Sequence, residues 1–285
     1  MGKLIVIEGT DSSGKETQTR KIYEKLVSEG YLCKKISFPN YESEASQPVK
    51  MYLSGKFGKE ASKVNPYPIS TMYAIDRYAS YKENWEKDYK TDKIIIADRY
   101  TTSNIVHQAS KFDNLEDKEN YINWLEDLEY DKMELPRPDL VIFLNMPTNK
   151  ALELISKRNN KITGEDKKDI HEKDKEYLEK SHKNACDIAE RLEWKEIQCV
   201  NKNGEIKSIE EIHEEIYNVK TLRKAIRKPD AVAQGGEPYF WLKVVDPVFG
   251  TEYLFVQGTK CTITSAHDDV IKFSTEFTIM NSVDA

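Results

Sequence analysis

The chain has 285 residues, 39% hydrophobic and 32% charged, with a formal net charge of −6. That length accommodates one large domain, or a medium one with a small companion. The acidic balance argues against a nucleic-acid polymer as partner, since such binding calls for a clustered basic surplus, and no apolar run approaches the ~20 residues of a membrane span. The opening Met1–Glu8 has too few apolar residues for a signal-peptide core, and Ile7 stands about where a myristoylation signal has Ser or Thr. A cytoplasmic location is expected. Cys33, Cys186, Cys199 and Cys261 are far apart with no C-x-x-C pair, which suggests neither a zinc site nor a redox motif.

In chain order, Lys3–Ile7 reads as a strand, Gly9 to Gly14 as a glycine-containing loop, and Glu16 to about Glu29 as a helix stopped by Gly30. A short strand is expected at Lys34–Phe38, before Pro39. Helical periodicity runs from Ile69 to Trp85. Lys93–Asp98 and Leu140–Leu144 are apolar runs too short for helices, as buried parallel strands are. Pro147 opens a further helix through Ile155, Lys195–Val200 reads as a last strand, and Ser208 is placed as an N-cap before an acidic first turn. This alternation predicts an α/β fold, a P-loop NTPase-type three-layer sandwich with a mostly parallel five-stranded sheet, over residues 1–220. Ligands of such sheets bind at the carboxyl ends of the strands.

Residues 158–180 break the pattern with a charged stretch. It reads as a solvated helix or, given Gly164 among basic residues, as a lid. Residues 221–238 read as a linker with a basic start. Residues 239–285, rich in Val, Phe, Tyr and Thr, read as a small β-rich unit of three or four strands. That unit is either a binding or oligomerisation module or an appendage with no part in chemistry.

Gly9-Thr10-Asp11-Ser12-Ser13-Gly14-Lys15 fits G-x-x-x-x-G-K, placed between strand and helix. Backbone N–H groups of such a loop wrap phosphate oxygens, the helix N-terminus adds positive charge, and the lysine bridges the outer phosphates. ATP is the expected ligand, with Gly9 through Thr17 as its contacts. The position after the lysine holds Glu16 where Ser or Thr usually binds Mg²⁺, and Thr17 follows. Glu16 either sits near the Mg²⁺, directly or through water, or faces solvent where the helix dipole favours it.

Further signatures follow in order: Phe38-Pro39-Asn40-Tyr41, then Tyr73-Ala74-Ile75-Asp76-Arg77, then Asp98-Arg99-Tyr100 with Ser103-Asn104 and Gln108, then Pro138-Asp139-Leu140 leading to Pro147. On these motifs, across roughly residues 3 to 215, the chain resembles the thymidylate kinase family. The resemblance implies ATP- and Mg²⁺-dependent phosphorylation of dTMP to dTDP for deoxynucleotide synthesis, by a homodimer joined through the kinase helices. It implies that Arg77 hydrogen-bonds the thymine edge while Tyr73, one helical turn earlier, stacks on the base. Phe38 and Pro39 would line the acceptor pocket with Tyr41 near the sugar, and Asn104 and Gln108 would make polar contacts. Arg99 would hold the monophosphate, with Asp98 orienting that arginine or the metal shell, and Asp11 would help place sugar or phosphate. His107 stands where the family often has Tyr and reads as a surface or pocket-edge histidine without chemistry. With Ser12 and Ser13 where some members carry a P-loop arginine, catalytic charge is expected from the lid, where Arg158, Lys161, Lys167 and Lys168 are candidates. Glu172 would face the acceptor. Another nucleotide or deoxynucleoside kinase on the same fold is the alternative.

Overall fold

The computed structural model describes residues 2–91, 93–156, 170–220, 222, 239–246, 250–267 and 270–279, and among these the side chains up to Leu222 other than those of Glu172 and Lys173. The chain divides into two compact units, Met1–Ile226 and Arg227–Ala285. The lid candidates Arg158, Lys161, Lys167 and Lys168 lie outside the described residues, as does the side chain of Glu172.

In the first unit the strands are β1 (Lys3–Gly9), β2 (Cys33–Ser37), β3 (Ile94–Asp98), β4 (Leu140–Asn145) and β5 (Lys195–Gln198). The described helices are α1 (Lys15–Ser28), α2 (Gln47–Leu53), α3 (Pro66–Ser80), α4 (Glu86–Lys90), α5 (Thr101–His107), α6 (Leu115–Glu126), α7 (Thr148–Ile155), α8 (Ile170–Lys173), α9 (Lys175–Arg191) and α10 (Ile209–Tyr217). The strands form one sheet in the order β2-β3-β1-β4-β5, and every neighbouring pair is parallel. This is the P-loop NTPase fold. β3 and β4 lie on opposite sides of β1, so the crevice of the open sheet falls at the carboxyl end of β1, where the glycine loop begins.

The two-residue period of β1 explains both layers. Ile5 and Ile7 point to one face, against Ile22 and Leu26 of α1 and Ile212 and Ile216 of α10. Leu4 and Val6 point to the other, against Tyr81, Trp85 and Tyr100. All four strand residues are fully buried, which is why the run is apolar at every position. Each contributes roughly 1.5–3 kcal/mol of burial relative to exposure.

The long helix expected over Ile69–Trp85 is broken. α3 begins at Pro66, capped by the Asn65 side chain accepting from the Tyr67 N–H, and ends at Ser80. A π-helical turn, Tyr81–Trp85, follows and leads into α4. The wider turn places both Tyr81 and Trp85 inside, with ring centroids 4.6 Å apart. The last strand is also shorter than expected: β5 stops at Gln198, and Val200 makes an isolated antiparallel bridge to Ile206. Ser208 forms a complete capping box with Glu211.

The second unit holds three strands, β6 (Tyr239–Asp246), β7 (Gly250–His267) and β8 (Val270–Ile279), in an antiparallel sheet of that order. The ladder of β7 and β8 shifts register between Gly258 and Lys260 and again between Ile263 and Ser265. The whole parallel sheet and glycine loop belong to Met1–Ile226. A chain ending at Ile226 is therefore expected to fold cooperatively and keep nucleotide turnover within about twofold of the full chain, measured by thermal unfolding and a coupled ADP assay.

Candidate active site

The glycine loop leaves β1 and feeds α1 with Gly14 as N-cap in the left-handed region, φ 88°. A Cβ at Gly9 would stand 2.5 Å from Ser13 Oγ and 2.9 Å from the Leu144 carbonyl oxygen, so only glycine permits the loop to fold back over β4. Lys15 is buried and donates to the Thr10 carbonyl at 2.6 Å and to Ser13 Oγ at 3.4 Å. Burial pushes its ammonium down to about 7, with repulsion from Arg99 adding to the effect against attraction from Asp11, Asp98 and Glu8. Glu16 is exposed in the first turn of α1, and Thr17 behind it is half-buried.

Beside the loop lies a cleft of about 530 Å³, its mouth included. The structure brings Asp11, Phe38, Pro39, Tyr41, Tyr73, Arg77, Arg99, Asn104 and Gln108 together along its wall, joined by Leu53, Tyr100, Ser103, His107 and His171. The Phe38–Pro39 bond is cis, and the adjoining segment is tied to α3 by the Asn40 N–H donating to Asp76 Oδ2 at 2.9 Å. Tyr73 and Arg77 share one face of α3. Asn104 donates to the Ser70 carbonyl at 3.4 Å. Gln108 is 1% exposed and its Oε1 has no hydrogen-bond partner, a buried acceptor that a ligand N–H can satisfy.

Arg99 is the hub of the end of the cleft nearest the glycine loop. It follows β3 directly with φ 67°, left-handed backbone unusual for a non-glycine residue. Its Nη2 donates to Asp11 Oδ1 at 2.6 Å. Its Nη1 reaches His107 Nε2 at 3.1 Å, Ser103 Oγ at 3.3 Å and the Gly9 carbonyl at 3.4 Å. Burial alone would raise the Asp11 carboxyl, but the Arg99 guanidinium outweighs it and holds Asp11 well below the usual carboxylate range. Asp11 makes the hydrogen bond to Arg99, while Asp98 acts on that guanidinium through its charge. Asp98 Oδ1 is buried at the end of β3 without a hydrogen-bond partner, and Asp98 is not among the residues that line the cleft.

Three contributors were not anticipated. Glu8, fully buried, accepts from the Gly9 N–H at 2.9 Å, Thr102 Oγ1 at 2.6 Å and Ser103 Oγ at 2.8 Å, and lies 3.8 Å from Arg99. An acid closing an otherwise apolar strand was the available signal. His107 is the second, and corrects the reading of an idle edge histidine: it is 6% exposed, lines the cleft and bonds Arg99. Burial and Arg99 both push its imidazole well below its ordinary value, so the neutral ring accepts at Nε2 and carries its proton on Nδ1. The third is Glu129, which pairs with Arg77 across 52 residues of sequence. No local pattern announces such a partner.

The sequence model of the family described as thymidylate kinase matches residues 7–216. The chain belongs to the thymidylate kinase family. The probable thymidylate kinase of Thermococcus onnurineus is 30% identical over 217 residues, covering 75% of this chain and 94% of its own. The human thymidylate kinase is 27% identical over 231 residues, covering 80% and 95%. The solved structure of Candida albicans thymidylate kinase overlays with a TM-score of 0.59 at 22% identity, covering 79% and 94%, a likeness of fold. The chain is accordingly a kinase, a phosphotransferase, of a family that uses ATP as phosphate donor.

Lys15 makes ATP binding pH-dependent with a definite sign. The free loop holds its ammonium near 7, whereas polyphosphate seated against it favours the charged form and raises that value. Binding above pH 7 must then take up a proton. The Kd for ATP is expected to be flat below pH ~7 and to rise toward about tenfold per pH unit above it. Titration calorimetry in buffers of different ionisation enthalpy checks the uptake.

Proposed function

We propose that this protein transfers the terminal phosphoryl group of ATP to dTMP, giving dTDP and ADP. The observation that carries this reading is a single cleft uniting an aromatic, Tyr73, and a buried arginine, Arg77, at one end with the Asp11–Arg99 pair beside the loop lysine at the other. Tyr73 and Phe38, both on the cleft wall, would present aromatic rings to a flat base. Arg77 supplies donors to a base carbonyl, and Gln108 Oε1 offers an acceptor to a ring N–H. Arg99 presents a forked cation to the 5′-phosphate. An oxygen of that phosphate attacks the γ-phosphorus, the bond from the γ-phosphorus to the β,γ-bridging oxygen breaks, and the electron pair leaves on ADP. Asp11, held ionised, fixes Arg99 and takes no proton.

Phosphoryl transfer asks the protein for positioning and positive charge. Among the described residues at the loop, the carboxylates of Glu8, Asp11 and Asp98 face the cations Lys15 and Arg99, which supports further cations arriving with the reactants. Arg158 is the lid residue assigned first to this role, beside Lys161, Lys167 and Lys168, and Glu172 is assigned to the acceptor side. The partnerless Asp98 Oδ1 suits a water of a Mg²⁺ shell, and Asp98 with Glu16 would hold the ion. Mg²⁺ would neutralise the β- and γ-oxygens of ATP. Exposed Ile75 and Tyr78, on the α3 face away from the cleft, support pairing of two copies through the kinase helices. The reading includes a cytoplasmic location; among the described residues no helix is long and apolar enough to cross a membrane.

An acceptor panel of dTMP, dUMP, thymidine and dGMP with ATP and Mg²⁺ tests the assignment, with dTMP expected to give the highest kcat/KM; failure to form ADP with dTMP overturns it. Arg99→Lys, which loses the fork but keeps the charge, is expected to lower kcat/KM for dTMP by about 10²-fold while leaving KM for ATP within about twofold. Steady-state kinetics against each substrate separates the two effects.

A further inference from the structure

Arg77 is 1% exposed and Glu129 fully buried, yet both are charged. Two ions are held out of water without loss of stability only where their geometry satisfies most of their bonding capacity. Here the carboxylate meets the guanidinium as a fork, Oε2 accepting from Nε at 2.6 Å and Oε1 from Nη2 at 2.5 Å. Thr101 Oγ1 donates a third bond to Oε2 at 2.7 Å. Glu129 sits in the π-helical turn Asp127–Lys132 that extends α6, and Thr101 opens α5, so the arginine is gripped from two elements outside its own helix.

This fork decides which donors remain. A guanidinium has five N–H groups and no acceptor. With Nε and one side of Nη2 taken by Glu129, the donors left for the cleft are those of Nη1 and the second hydrogen of Nη2. The acceptor that Nη1 reaches is the Tyr100 carbonyl, at the hydrogen-bond limit of 3.5 Å. Arg77 therefore meets a ligand through a small, fixed set of donors in a fixed plane.

We propose that Glu129 is the positioning residue for acceptor-base selection: by locking the plane of Arg77 it aims donors at the 4-position of the pyrimidine and so enforces a carbonyl there over an amino group. The inference rests on the reading that Arg77 faces the base of dTMP. Thymine and uracil present a carbonyl acceptor to those donors, while cytosine presents an N–H donor, and a locked arginine cannot turn aside from the donor–donor clash. Arg77 itself would touch the ligand, whereas Glu129 acts through it.

The test is a competition assay in which dTMP and dCMP are phosphorylated from one mixture by the full chain. The product ratio gives the ratio of kcat/KM values independently of how much enzyme is folded. Glu129→Gln, which places an amide donor against Arg77, is expected to lower the dTMP preference by about tenfold or more. In separate kinetics KM for dTMP is expected to rise more than kcat falls. Thr101→Val removes only the supporting hydroxyl, leaves the ion pair in place, and is expected to shift the ratio in the same direction by about threefold. A ratio unchanged in both variants overturns the inference even if total activity falls, because a merely structural ion pair would lower both substrates alike. A parent enzyme that takes dCMP as readily as dTMP, or fails on dTMP, overturns the reading of Arg77 beneath it, and that outcome is read before any variant is made.

Discussion

The Asp11–Arg99 ion pair, 2.6 Å long, is the contact on which the site depends, because it joins the two halves of the reaction. Asp11 belongs to the glycine loop that would cradle the donor, and Arg99 to the end of β3 that would receive the acceptor. The pair is short because the backbone pays in conformation: Arg99 occupies the left-handed region, at a cost of roughly 1–2 kcal/mol for a non-glycine residue. Its N–H bonds the Ile7 carbonyl and its side chain is seized from several directions. Strain of this kind persists only where surrounding bonds over-determine the residue.

Two fully buried glutamates stand behind the two arginines of the cleft. Glu8 binds the first N–H of the loop and two hydroxyls of α5, so the loop, β1 and α5 are tied together beneath Arg99. Glu129 does for Arg77 what Glu8 does for the loop, with the difference that its bonds go directly to the arginine. Removing either carboxylate would leave buried donors or a buried cation uncompensated, the costly direction of change for such pairs. Hydrogen-bonded glutamates thus trade solvation for fixed positions of the groups that meet ligand.

What could be read from the sequence follows from the range of the interactions involved. The three inner strands, β3, β1 and β4, were legible because burial on both faces leaves runs of Ile, Val and Leu that no surface element tolerates. The glycine loop was legible because close backbone approach demands glycine at fixed spacing. The π-helical turns were not, since Tyr81 to Trp85 and Asp127 to Lys132 carry an ordinary helical composition and their widening is set by what lies beneath them. α5 escaped because its Thr and Ser side chains bond Glu8 and Glu129, and Asn104 the Ser70 carbonyl, so that polar residues break the apolar stripe. The partners of Arg77 and Arg99 lie 52 and 88 residues away, distances over which one sequence records no signal. His107 was misread for the same reason: its identity was visible, but its burial against Arg99 depends on the packing of α5 against α9.

The two ends of the cleft differ in how complete they are, and that difference bears on how the enzyme divides its work. At the base end, Arg77 is locked by Glu129, and Asp76 on the same helix anchors the segment that carries Phe38 and Pro39. On the proposed reading, recognition there would be built before any ligand arrives, so little conformational entropy would remain to oppose it. At the phosphate end Lys15 is driven toward neutrality by burial, and Asp98 Oδ1 and Ser12 Oγ lack partners. Groups in that condition gain most when a polyphosphate and its counter-charges enter. On that reading selectivity would be stored in the fold, whereas the electrostatic field that lowers the barrier would be completed by the substrates themselves, which would keep the loop from settling around an arrangement that only the reacting complex should enjoy.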